Sequence, residues 1–176
     1  MRRLAQLAAV AALAAVLPSC TDSLNPFSKK ELRPCPGLAV LRDTGRITEY
    51  RPGAGRDLLD VRYTVDIADV RATCKYDDLT LRMSVAIDLI FTRGPAAEGA
   101  AMRVPYFVAV TKGEDEILAK RIFDSEIEFP ESRRRAGVRE EVDQTIQLLP
   151  DESAAAYEII IGLQVSEDQL QRNRAR

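Results

Sequence analysis

Residues 79–92 read LTLRMSVAIDLIFT. Leu79, Leu81, Met83, Val85, Ile87, Leu89 and Phe91 fall on one parity, and Thr80, Arg82, Ser84, Ala86, Asp88, Ile90 and Thr92 on the other. One parity is wholly apolar. A period of two over fourteen residues marks a strand with one buried face, and no amphipathic helix produces it. Upstream, Leu59, Val61, Tyr63, Val65 and Ile67 alternate with polar residues, after which Val70, Ala72 and Cys74 continue on the opposite parity. One extra residue near Ala68–Asp69, a β-bulge, accounts for the slip.

Downstream, Met102, Val104, Tyr106, Val108 and Val110 form another strand. Pro105 has no amide to donate, which predicts that this strand lies at a sheet edge. Residues 112–115 (KGED) read as a turn into a strand over Ile117–Phe129. Val138, Val142, Ile146 and Leu148 follow on one parity that Glu140 and Gln144 interrupt, and Tyr157, Ile159, Ile161, Leu163 and Val165 complete the set. Shorter pieces, Leu38–Leu41 and Ile47–Tyr50, open the series. Seven or eight strands joined by short turns imply an all-β, antiparallel fold. Single apolar faces need a partner face, so the expected architecture is an immunoglobulin-like or fibronectin-like sandwich, with a closed eight-stranded barrel as the alternative. Ser166, three places before Gln169, is a capping-box pattern and predicts a short C-terminal helix. Glu167 and Asp168 suit its positive end, and Arg172, Arg174 and Arg176 its negative end.

The chain has 176 residues, 46% hydrophobic and 30% charged, with no histidine and no tryptophan. Lack of histidine excludes imidazole bases, Ser-His-Asp and Cys-His arrangements, and any metal site that requires that ligand. Ten scattered aromatics offer no base-stacking platform. No phosphate-cradling glycine loop, nucleophile elbow or zinc spacing occurs, so no cofactor, metal site or catalytic residue is predicted.

At the N-terminus, Arg2 and Arg3 precede an apolar run from Leu4 to Leu17 broken only by Gln6. About 14 residues are too few to span a bilayer, which takes about 20, and the features are those of an export signal. The run ends in Leu17-Pro18-Ser19-Cys20. A leucine three places before a cysteine, with a small residue directly before it, resembles the lipobox of bacterial lipoproteins, and the organisation is similar to that of small exported lipoproteins of Gram-negative bacteria. The resemblance covers the first 20 residues. It implies removal of residues 1–19 and acylation of Cys20, the lipid partner being the membrane. The alternative is an ordinary secretory peptide cut elsewhere. Thr21 stands where an aspartate would direct inner-membrane retention in enteric bacteria, so the resemblance implies the periplasmic face of the outer membrane, with the inner membrane as the alternative.

Removing residues 1–19 leaves 23 basic and 27 acidic side chains, a net charge of −4, which argues against nucleic acid as a partner. The expected organisation is a signal (1–19), a lipidated cysteine with a flexible polar tether (20–34), a sandwich domain (35–166) and a short helix with a basic tail (167–176). Cys35 and Cys74, an even pair in an oxidising compartment, read as a disulfide rather than two buried thiols, and their separation does not suit a redox motif.

Asp77-Asp78 and Glu114-Asp115-Glu116 read as turn residues. Glu126, Glu128, Glu140, Glu141 and Asp143 are expected to form an acidic, solvated stripe on two neighbouring strands. Arg133-Arg134-Arg135 lies in a loop as a solubilising run or a contact for anionic lipid or a partner. The function expected is a non-enzymatic, lipid-anchored accessory or assembly module that binds another envelope protein, using the edge Met102, Val104, Tyr106, Val108 and Val110 to accept a strand. A carrier of lipid or another apolar small molecule and a carboxylate-based envelope hydrolase are the alternatives.

Overall fold

A computed structural model describes residues 33–53, 55–113, 116–130 and 132–175. The export signal, Cys20 and most of the tether lie outside the described residues. The strands are β1 (Gly37–Val40), β2 (Arg46–Tyr50), β3 (Val61–Asp77), β4 (Thr80–Arg93), β5 (Ala101–Lys112), β6 (Glu116–Glu128), β7 (Arg135–Gln147) and β8 (Tyr157–Leu163). Short 3-10 turns, Leu58–Asp60 and Ala154–Ala156, precede β3 and β8, and helix α1 (Glu167–Arg174) ends the chain. One four-stranded sheet has the order β1-β8-β5-β6 and the other β2-β3-β4-β7. All pairings are antiparallel except β1 with β8. The fold is a two-sheet sandwich, not a closed barrel.

The alternation in β4 sets the core. Leu81, Val85, Ile87, Leu89 and Phe91 are 0% exposed, and they face Val104, Tyr106, Val108, Ile159, Ile161 and Leu163 from the other sheet. Each such side chain contributes about 1.5–3 kcal/mol by leaving water. The anticipated bulge is present: Ile67 pairs with Leu89 and Asp69 with Asp88, leaving Ala68 unpaired. Leu59, by contrast, is not the first residue of that strand. It lies in the 3-10 turn that Asp57 caps through its side chain, and Val61 opens β3. Helix α1 has the reciprocal capping box between Ser166 and Gln169.

Strand β5 is not an edge. It lies between β6 and β8, so Met102, Val104, Tyr106, Val108 and Val110 cannot accept a partner's strand, and all five side chains belong to the core. Pro105 is tolerated there for a local reason. β8 ends with Leu163 opposite Tyr106, and just beyond it the Gln164 amide donates to the Pro105 carbonyl at 2.8 Å. In an antiparallel strand the N–H and C=O of one residue point to the same side. The missing donor therefore faces the terminus of β8, where the ladder stops anyway.

Cys35 and Cys74 form a disulfide with Cα atoms 6.1 Å apart. It fastens the chain entry to β3, closing a loop of sequence separation 39. Replacing both cysteines by serine is expected to lower stability by about 2–4 kcal/mol. The check is the urea midpoint followed by circular dichroism, which must fall relative to the parent chain.

Candidate interaction surfaces

The two ends of the sandwich differ. At the entry end, the Arg33 guanidinium lies 3.8 Å over the Tyr76 ring and donates to the Asp78 carbonyl at 2.9 Å, while Tyr76 donates its hydroxyl proton to the Pro34 carbonyl. Together with the disulfide, these contacts fix where the tether joins the body, beside the β3–β4 turn. Residues 33 and 34 thus belong to the folded body rather than to the tether. Strand β3 then runs 17 residues to the opposite end, a distance of about 50 Å.

That far tip carries Leu58 and Leu59, 83% and 71% exposed. They extend over an open groove of about 380 Å³ whose walls include Tyr50, Val61, Arg46, Arg93 and Arg134. Arg93 donates to the Gly99 carbonyl at 2.8 Å and lies over Phe129, and Arg134 donates to the Arg93 carbonyl. Main-chain carbonyls thus hold two guanidinium groups beside the leucines. Gly94 forms part of the groove because nothing larger fits: a Cβ there would stand 1.9 Å from the Val61 carbonyl oxygen. Of the arginine run predicted as a loop, Arg133 and Arg134 line this tip and Arg135 begins β7.

The second surface is the outer side of β6. Ile117, Leu118 and Ile122 are 64%, 45% and 60% exposed, on a strand paired only with β5 among the described residues. The register shifts between Val110 and Thr111, leaving Leu118 as the extra residue of a bulge. Ile122 lies opposite Phe107, which itself faces Gly162 across β5–β8. A Cβ on Gly162 would meet the Phe107 ring at 2.6 Å, so glycine lets that ring lie flat on the sheet, and the Lys120 ammonium covers it at 4.2 Å.

The predicted acidic stripe does not form, because β6 and β7 belong to different sheets. Glu126 pairs with Arg103 on the outside of one sheet, and Glu141 and Asp143 are exposed on β7 in the other. Glu140 turns inward instead. Its carboxylate accepts from Ser125 Oγ at 2.7 Å, joining β6 to β7 across the sandwich. Beside it, the Tyr106 phenol is pushed up to about 12, first by burial and then by the charge of Glu140 and the hydrogen bond to it. On the outside, Asp88 accepts two hydrogen bonds from Arg139 and one from Arg71, and these cations hold its carboxyl below the usual range. Neither cluster has the form of a hydrolase pair converging on a cleft: one is closed between the sheets and the other is an ion-paired convex face. Among the described residues, no group of three or more Asp, Glu or Cys stands in an arrangement that would hold a metal ion.

No protein-family model, curated protein or solved structure matches the chain.

The Tyr106 shift has a consequence at high pH. A phenol whose folded pKa exceeds its unfolded value of 10 contributes stability that is fully present below pH 10 and lost as the pH rises through about 12. Tyr106→Phe is expected to flatten the fall in stability between pH 10 and pH 12. The measurement is a series of urea midpoints across that window, compared with the parent chain.

Proposed function

We propose that this protein is a non-enzymatic, lipid-anchored envelope module that binds another envelope protein through its far tip. The observation that carries the reading is the pair of exposed leucines, Leu58 and Leu59, beside the Arg93 and Arg134 guanidinium groups at the end opposite the chain entry. Exposed apolar side chains flanked by cations suit a partner surface that is apolar at its centre and acidic at its rim. The lipobox resemblance supplies the anchor. From Cys20 to Arg33 the chain reaches at most about 45 Å, so an upright body presents the tip outward while staying close to its membrane.

The packing favours binding by touch over carriage of an apolar ligand. Core side chains fill the space between the sheets, and the concavities described above open to solvent. The periplasmic face of the outer membrane remains the proposed location, with Cys20 carrying the lipid.

Two measurements test this. Palmitate labelling of the full chain is expected to disappear in Cys20→Ser. A photo-crosslinking residue at position 58 is expected to capture one defined envelope protein in cells, with the yield falling on the order of tenfold when Arg93 and Arg134 are both replaced by glutamate. The same probe at Thr73 on the face of β3 provides the control. Recovery from position 58 of only lipid, or only bulk abundant proteins, would remove the proposal.

A further inference from the structure

The open strand β6 matches itself. Two hydrogen bonds fix which of its main-chain groups are free. The Phe129 amide donates to the Ala100 carbonyl, and the Gln164 amide donates to the Pro105 carbonyl. Because main-chain groups alternate sides along an antiparallel strand, even-numbered residues of β5 face β6 and odd-numbered ones face β8. Phe123 lies opposite Tyr106 and Arg121 opposite Val108, so these odd residues of β6 bond to β5. Lys120, Ile122 and Asp124 consequently direct their amides and carbonyls to the open side of the sheet.

We infer that a second copy of this chain pairs there, β6 against β6, about a two-fold axis through Ile122 perpendicular to the sheet. In that register Ile122 of each copy lies opposite Ile122 of the other. Lys120 lies opposite Asp124, twice, on the outer face, and Arg121 lies opposite Phe123, twice, on the inner face. The free donors and acceptors of Lys120, Ile122 and Asp124 then pair with one another. Neighbouring registers do not match in this way. An axis through Lys120 or Arg121 sets like charges opposite each other, and one through Phe123 sets Ile122 against a carboxylate.

The other edges are poorer candidates. β1 and β2 have 4 and 5 residues, and β7 directs Arg135, Arg139, Glu141 and Asp143 to solvent. Short or charged edges resist pairing, whereas β6 is 13 residues long and exposes three large apolar side chains. The result is one continuous eight-stranded sheet across two copies. This inference does not depend on the tip or on the lipid.

The test uses the full-length chain in mild non-ionic detergent, with mass read by native mass spectrometry and folding checked by circular dichroism. The parent chain is expected at the mass of two copies. Lys120→Glu and Asp124→Lys, each alone, are expected to reduce it to one copy, and the two together to restore two. Ile122→Cys is expected to give a disulfide-linked pair on a non-reducing gel, since opposed residues in a hydrogen-bonded pair stand about 5.5 Å apart. Added Lys120→Glu should abolish that link. A single-copy mass for the folded parent chain overturns the inference. So does a double variant that stays single while both single variants remain folded.

Discussion

Burial of the apolar face of β4 between the two sheets is the constraint on which the rest depends. Five of its side chains are wholly shielded from water, and the strand is central in its sheet, paired with β3 over one side and β7 over the other. With side chains alternating at a period of two, a slip of one residue in either pairing would turn this face to solvent. That requirement fixes the registers of β3 and β7. It also explains the bulge at Ala68, which brings the second half of β3 back into phase so that Val70 and Cys74 pack against the core.

Where polar groups enter this interior, they are paired. Glu140 occupies an inward position of β7 and is accommodated because Ser125, wholly buried on β6, donates to it across the sandwich. A carboxylate left without such a partner would cost several kcal/mol in this setting. Ser125 and Glu140 therefore link two strands that share no backbone ladder. Beyond that link, β6 leaves the cover of the opposite sheet, and Ala119 and Arg121 on its inner side become exposed. The unprotected half of β6 is thus a consequence of where the two sheets part.

The same geometry separates the surfaces. The disulfide and the contacts of Arg33 and Pro34 hold the chain entry at the β3–β4 turn, while the 17 residues of β3 carry Leu58 and Leu59 to the other end. Anchor and tip are kept apart by the length of one strand. The lateral edge at β6 lies between them. An arrangement with binding at the tip and pairing along the side would allow both at once.

The sequence by itself determined the strand set, the bulge, the capped C-terminal helix and the Cys35–Cys74 pair, because each is written in local periodicity, local capping chemistry or the parity of cysteines. It also determined that a two-faced sandwich would be needed, since half-buried strands must bury their faces against something. Sheet order was decided only by the tertiary structure. Pro105 suggested an edge, yet the strand is central, because a missing amide costs nothing where the neighbouring ladder has already ended. Glu126 and Glu140 looked like members of one stripe until the chain placed β6 and β7 in different sheets. The open edge at β6 and the exposed leucines at the tip were equally hidden. Alternation tells which side chains share a face, but whether another strand covers that face or that edge depends on contacts between residues far apart in the chain.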